Sequence, residues 1–268
     1  MSDAFITTEQ IGAVRRLWLN RENARNAQNQ ALLSQLDQAL LEAREDDTVR
    51  VVVIAGRGDH FSAGHDLKEG EAKRAHFTVE QRWAYEELHY FDYSMRIWDF
   101  PKPTIAQVQG ACVAGGFMIA NMCDLVVASD DAFFSDPVVQ TLSAAATEVL
   151  IHPWVMGLRK AKEFLYTGMR LTAHEAEKIG MVNRVVPRAE LDSSTLEMAQ
   201  KIAQAAPFGM RLIKKSLNRS LDAQGLRVAL TAHFDTHQLS HMTEEFKALR
   251  DQGLSKAIQR GAEHDKKA

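Results

Sequence analysis

Phe61-Ser62-Ala63-Gly64-His65-Asp66-Leu67 and, further on, Cys112-Val113-Ala114-Gly115-Gly116 decide how this chain is read. Each is a glycine-containing turn behind an apolar, strand-like run. Val51-Val52-Val53-Ile54 precedes the first, and Thr104-Ile105-Ala106-Gln107-Val108 precedes the second. Two such turns can each offer a backbone N–H to one oxygen atom. Two converging donors make an oxyanion hole, which stabilises an enolate or a tetrahedral oxyanion. The first expectation is therefore chemistry at a thioester or a similar carbonyl.

Working outward, the residues alternate between strand and helix patterns. Ala13 to Leu19 reads as a strand, with Leu17 and Leu19 on one face. Leu32, Leu33, Leu36, Leu40 and Leu41 recur at helical spacing between Asn29 and Glu45, which predicts an amphipathic helix. Val49 to Ile54 is almost wholly apolar, as expected of a strand covered on both faces. Residues 69 to 76 are charged and lack a period, which predicts a loop or frayed helix. Trp83, Leu88, Phe91, Met95 and Trp98 restore a helical period that Pro101 and Pro103 end. A third strand spans Thr104 to Val108, a short helix Phe117 to Cys123, and strands Leu125 to Ala128 and Ala132 to Ser135. From Thr147 the pattern is helical, interrupted by a strand-like stretch at Met181 to Val186. This alternation predicts an α/β fold of βαβ units. The division expected is a core over residues 1–190 and a helical region over 191–268.

Composition narrows the function. The 268 residues carry a formal net charge of −3 with scattered lysines and arginines, so no basic surface for nucleic acid is expected. No run of about 18 apolar residues predicts a membrane span, and the N-terminal residues do not read as a leader. Cys112 and Cys123, the two cysteines, sit in apolar runs without metal-ligand spacing. Two buried thiols, no metal site and a cytoplasmic location are the expectation.

Four motifs in order resemble the crotonase superfamily, the enoyl-CoA hydratase/isomerase family. They are Leu19-Asn20-Arg21-Glu22-Asn23-Ala24-Arg25-Asn26-Ala27, the turn at 61–67, the run Gly110 to Asp124, and Leu165-Tyr166-Thr167-Gly168 with Gly180-Met181-Val182-Asn183. The likeness runs from about residue 5 to about residue 260. It implies a crotonase-like spiral of βαβ units with a C-terminal helical trimerisation region, assembled as a homotrimer or a dimer of trimers. It implies an acyl-CoA or enoyl-CoA ligand, with coenzyme A entering as part of the substrate and no separate cofactor. The oxyanion donors implied are the backbone N–H groups of His65 and Gly115. Ala63, Asp66, Leu67 and Lys68 match the stretch that lies along coenzyme A, with Arg25 and Arg260 as candidate phosphate contacts. Asp66 can equally cap the next helix.

The sequence departs from the resembled hydratases at the acid and base. They place and activate water with two glutamates, and the matching positions here are Met118 and Val138. Neither side chain moves a proton, and such a group is typically worth 10²–10⁴-fold in rate. Phe117, Met118, Phe134 and Val138 then read as an apolar acyl pocket. Glu148, expected near the start of a helix facing that pocket, is the tentative replacement base, with His65 as a proton carrier and Asp136 and His152 as weaker candidates. An enzyme of acyl-CoA metabolism and a non-catalytic acyl-CoA carrier both fit these residues.

Overall fold

The computed structural model describes residues 4–145 and 148–265. Its centre is a six-stranded sheet in the order β1-β2-β3-β4-β6-β9, beside a three-stranded sheet in the order β5-β7-β8. In the first sheet, β1 (Ile6–Ile11) pairs antiparallel with β2 (Val14–Leu19), and β3 (Val51–Gly56), β4 (Thr104–Val108), β6 (Leu125–Ser129) and β9 (Arg184–Val186) follow in parallel. The second sheet holds β5 (Ala111–Val113), β7 (Phe133–Ser135) and β8 (Leu171–Thr172). A mixed α/β architecture of parallel βαβ crossovers is thus as the sequence predicts.

The helices follow from the same patterning. α1 (Gln30–Glu45) starts where the Asn29 side chain accepts from Leu32 N, and it buries Leu32, Leu33, Leu36 and Leu40. Of the loop or frayed helix expected over residues 69 to 76, the helix forms, as α2 (Leu67–Arg74). Asp66 caps it by accepting from Glu69 N at 3.0 Å, and Glu69 pairs with Lys73 at 2.9 Å one turn on, so capping and ion pairs supply what apolar period does not.

α3 (Val79–Glu86) opens on a reciprocal capping box between Thr78 and Gln81. It runs through a π-helical turn at Glu87–Asp92 into α4 (Tyr93–Trp98). The extra residue of that turn shifts the face of the helix, so Leu88, expected inward, is exposed while Tyr90 is buried.

Next come α5 (Gly115–Met122), α6 (Val138–Leu142), α7 (His152–Met156), α8 (Leu158–Thr167) and α9 (Ala173–Lys178). The chain ends in α10 (Leu191–Ala203), α11 (Pro207–Ala223), α12 (Leu226–Ser240), α13 (Glu244–Asp251) and α14 (Ala257–Asp265).

Both faces of the large sheet are covered, which is why Val51-Val52-Val53-Ile54 has no polar member. Leu17, Leu19, Val52, Ile54, Ala106 and Val108 share a cluster with α1 and α5 residues. Val14, Val51, Val53, Ile105 and Val127 on the opposite side pack against Leu191 and Ala199 of α10. One cover of the sheet therefore comes from beyond residue 190. Among the described residues no helix is long and apolar enough to cross a membrane.

Candidate active site

The two glycine turns are drawn together by backbone pairing. Ser62 and Cys112 form a parallel bridge, with Ser62 N donating to Ala111 O at 3.0 Å and Val113 N donating to Ser62 O at 3.0 Å. Asn26 braces the first turn from behind by donating to Arg57 O and His60 O, each at 2.9 Å. Gly64 holds φ +89°, and a Cβ there would stand 2.8 Å from Val113 O and 3.4 Å from Gly115 N. Ala114, immediately before α5, sits at φ 45° and ψ −112°, a strained conformation for a residue with a side chain. A Cβ on Gly116 would meet Ser62 O at 2.8 Å, so that glycine is required by close approach of the two turns.

This packing brings the His65 ring over Gly115. A Cβ on Gly115 would lie 2.7 Å from His65 Cε1 and 3.0 Å from His65 Nδ1. Among the described residues the backbone N–H groups of His65 and Gly115 have no acceptor. The ring stacks on Tyr90 with centroids 3.9 Å apart, and its Nε2 lies 3.3 Å from Glu148 Oε2. Its Nδ1 is buried without a partner.

Glu148 is not at a helix N-terminus as expected. It lies in irregular chain, and α7 begins only at His152. Its anion is held by side chains instead of a helix dipole. Burial would push the carboxyl up, but the charge and hydrogen bond of His65, with the charge of His237 behind them, hold it down to about 2. Glu148 is ionised at neutral pH, and it stands behind His65 as seen from the cavity beside the turns.

That cavity is lined by Gln28, His65, Tyr90 and Gly115 of the turns and their neighbours, by the apolar Leu33, Leu36, Ile97, Met118 and Ile119, and by the polar Asp37 and Ser94. It offers about 20 Å³ to the centre of a water molecule, room for about one water.

Of the four residues expected to form an acyl pocket, Met118 lines this cavity and the others do not. Phe117 leaves α5 on the opposite side and stacks on His152 with centroids 4.5 Å apart. Phe134 packs edge-on to Phe117, and Val138 packs beside Ala144, Phe246 and Leu254. Phe117 and Met118 point about 100° apart around α5, and here that turns Phe117 away from the cavity that Met118 lines. Asp136 and His152 face each other at 3.1 Å, both fully buried, as a separate pair on that far side of α5.

The residues expected along a ligand's coenzyme portion are distributed as follows. Ala63, Lys68 and Arg25 are exposed, and Ala63 N donates to Arg25 O at 2.9 Å, which sets Ala63 beside Arg25. Leu67 is half-buried at the start of α2. Asp66 is the cap of α2 and pairs with Arg21 at 3.0 Å. Arg260 is turned inward, its Nε donating to Thr141 O at 2.7 Å. Both cysteines are buried free thiols, and burial pushes Cys123 up to about 12.

Sequence reasoning missed the polar cluster behind Glu148. His237 Nε2 lies 3.8 Å from Glu148 Oε1 and 3.4 Å from Glu86 Oε2, and His241 Nε2 lies 3.5 Å from the same Glu86 oxygen. Burial would lower the His237 pKa, but the Glu86 hydrogen bond and the charges of Glu148 and Glu86 hold it up at about 9. Burial acts against the Glu86 anion too, and both histidines outweigh it, holding that carboxyl well below its usual range. The signal available was the spacing of His237 and His241, one turn apart on one helix face.

Comparison with known proteins identifies the family to which this fold belongs. The enoyl-CoA hydratase/isomerase family model matches residues 9–265. The chain belongs to the enoyl-CoA hydratase/isomerase family. It is 40% identical over 247 residues to the protein named "Putative enoyl-CoA hydratase EchA13" of Mycobacterium tuberculosis, covering 86% of this chain and 78% of that one. Among solved structures, a "probable ENOYL-COA Hydratase" from Mycobacterium smegmatis matches with TM-score 0.84 and 45% identity, covering 89% of this chain and 95% of the other. An enoyl-CoA hydratase/isomerase from Xanthobacter autotrophicus Py2 matches with TM-score 0.89 and 35% identity, covering 99% and 98%.

Proposed function

We propose that this protein binds an enoyl-CoA thioester and shifts a proton on its acyl chain, using His65 and Glu148 in place of the two glutamates of the resembled hydratases. The observation that carries the reading is the His65 ring. It is stacked on Tyr90, tied through Nε2 to Glu148, and presents an unpartnered Nδ1 over Gly115. In this reading the thioester oxygen accepts from the backbone N–H groups of His65 and Gly115, which polarise the carbonyl.

His65 Nδ1 takes a proton from the carbon flanking the carbonyl. The electron pair moves into the new C=C bond as the thioester oxygen becomes an enolate held by the two donors. The same proton returns at the far carbon of the shifted double bond, so one carrier balances the reaction. Glu148 acts through His65 as a positioning residue, fixing the Nε2–H tautomer and stabilising the imidazolium. Hydration needs a second proton-handling group, and Met118 and Val138 do not supply one, so isomerase-type chemistry is favoured over hydratase-type.

Arg25, Lys68 and the Ala63 edge suit the coenzyme portion, with two exposed cations for its phosphates. Met118 and the leucines of α1 suit the acyl portion. Phe208, Leu212, Ile213 and Leu217 of α11 are all exposed. That apolar face suits a homotrimer or a dimer of trimers.

A non-catalytic acyl-CoA carrier is the second reading, favoured by the apolar residues at 118 and 138. The test follows the conjugated enoyl absorbance with 2-enoyl-CoA and 3-enoyl-CoA panels, beside calorimetric binding. Turnover that falls about 10²–10⁴-fold in Glu148→Gln, with affinity kept, supports the enzyme. Tight binding without turnover supports the carrier. Turnover untouched by Glu148→Gln removes that residue from the reaction.

A further inference from the structure

We propose that Glu86, His237 and His241 form a binding site for one transition-metal ion of the Zn²⁺ type. Their three donor atoms make a closed triangle. His237 Nε2 and His241 Nε2 are 3.1 Å apart, and Glu86 Oε2 is 3.4 Å from the first and 3.5 Å from the second. Zinc bonds of ~2.0–2.1 Å set neighbouring donors of a tetrahedron about 3.3 Å apart. The triangle matches one face of that tetrahedron.

In the metal-free protein a proton on His237 Nε2 serves the contact with Glu86; a metal ion would take that proton's place between the three donor atoms.

The surroundings are those of a prepared ligand set. His237 Nδ1 lies 3.0 Å from Ala145 O, which fixes the proton on Nδ1 and leaves Nε2 as the donor to a metal. The Glu86 carboxylate is oriented from both oxygens. Gln238 Nε2 donates to Oε2 at 2.7 Å, and Arg82 Nη1 donates to Oε1 at 3.1 Å. Glu86 and His237 are buried and His241 nearly so, which removes the competition of bulk water. Two imidazoles with one carboxylate select Zn²⁺, Co²⁺, Ni²⁺ or Cu²⁺ over the oxygen-seeking Mg²⁺ and Ca²⁺. The ion would tie the end of α3 to the end of α12, beside the π-helical turn that carries Tyr90. The fourth position is left to water. This inference stands apart from the proposed reaction, and its readout involves no turnover.

The test uses the untagged full chain, stripped with a chelator and titrated with Co²⁺, followed by displacement with Zn²⁺. The expected result is one Co²⁺ per chain with the intense visible absorption of a tetrahedral site, lost on adding one equivalent of Zn²⁺. Removing an outer-shell partner of a metal typically costs 10–100-fold in affinity. Loss of a ligand in His241→Ala or Glu86→Gln should exceed about 100-fold, while His174→Ala, an exposed histidine elsewhere, leaves affinity unchanged. Lack of one-to-one uptake by the wild type overturns the proposal, as does unchanged affinity in both ligand variants. If the variants fail to fold, hydrogen exchange of the wild type decides. Zn²⁺ should slow exchange at residues 82–90 and 234–244, and slowing confined to other segments overturns the site.

Discussion

The pH dependence of stability should be dominated, above neutrality, by one buried imidazole. His237 is 2% exposed and faces Glu86 on α3, Glu148 from the irregular segment before α7, and His241 on its own helix, with Arg82 on the far side of Glu86. Burial opposes its charge, yet the two carboxylates hold its folded pKa at about 9, against 6.5 for the ordinary side chain. The sign follows directly. Below pH 6.5 both folded and unfolded states carry the proton and the stabilisation is complete. Between pH 6.5 and about 9 the unfolded chain releases a proton that the folded chain keeps, so stability falls as pH rises. At ~1.4 kcal/mol per pH unit, that window carries about 3 kcal/mol. The assay is urea unfolding at fixed protein concentration, with chelator present, of wild type and His237→Gln across this range. The variant should be the less stable protein at pH 6.5, and the gap should close towards pH 9 and above. A gap that stays constant with pH would refute the assignment of charge to His237.

Other substitutions probe other parts of the molecule. Gly115→Ala sets a Cβ 2.4 Å from Gln28 Oε1 and 2.7 Å from His65 Cε1. Alanine keeps the backbone N–H but its Cβ pushes that donor and the His65 ring out of place, which should cost up to about 10²–10³-fold in kcat, the usual worth of one oxyanion donor; kcat within tenfold of wild type would count against the paired turns. His152→Leu leaves the Asp136 carboxylate buried opposite nothing and should cost about 3–5 kcal/mol by chemical unfolding. The double change Asp136→Leu with His152→Leu should recover most of that loss, as buried pairs replaced by apolar residues often do. Leu212→Asp with Leu217→Asp places charge on the exposed face of α11 and should lower the mass seen by sedimentation if that face joins subunits. An unchanged mass would assign assembly to another surface.

What was legible in the sequence divides along physical lines. Strand β3 was readable because, covered on both faces, it is wholly apolar, β2, β4 and β6 because apolar residues predominate around the buried Arg16, Gln107 and Ser129, and α1 because its leucines keep one period. Strand β1 was not, since Thr7, Thr8, Glu9 and Gln10 lie on an edge exposed to water and carry no pattern. The π-helical turn was invisible because one inserted residue shifts the period without changing composition, and it moved Tyr90 rather than Leu88 into the site. The two glycine turns could be found from Gly64 and Gly116, whose missing side chains are demanded by close backbone approach. Glu148, expected near a helix start, lies in irregular chain beside His65; its surroundings come from His65 and His237, which are distant in sequence. The cluster of Glu86 with two histidines required tertiary contact between α3 and α12, and only the spacing of His237 and His241 hinted at it.

The narrow cavity beside the turns has a consequence for selectivity under the proposed function. With room for about one water as it stands, it would admit an acyl chain only if its wall of α1, α4 and the π-helical turn gave way, and discrimination between chain lengths would then follow the elastic resistance of that wall. Preference would then be written in how slowly longer thioesters associate, and softening the wall, rather than widening it, would broaden the range of ligands accepted.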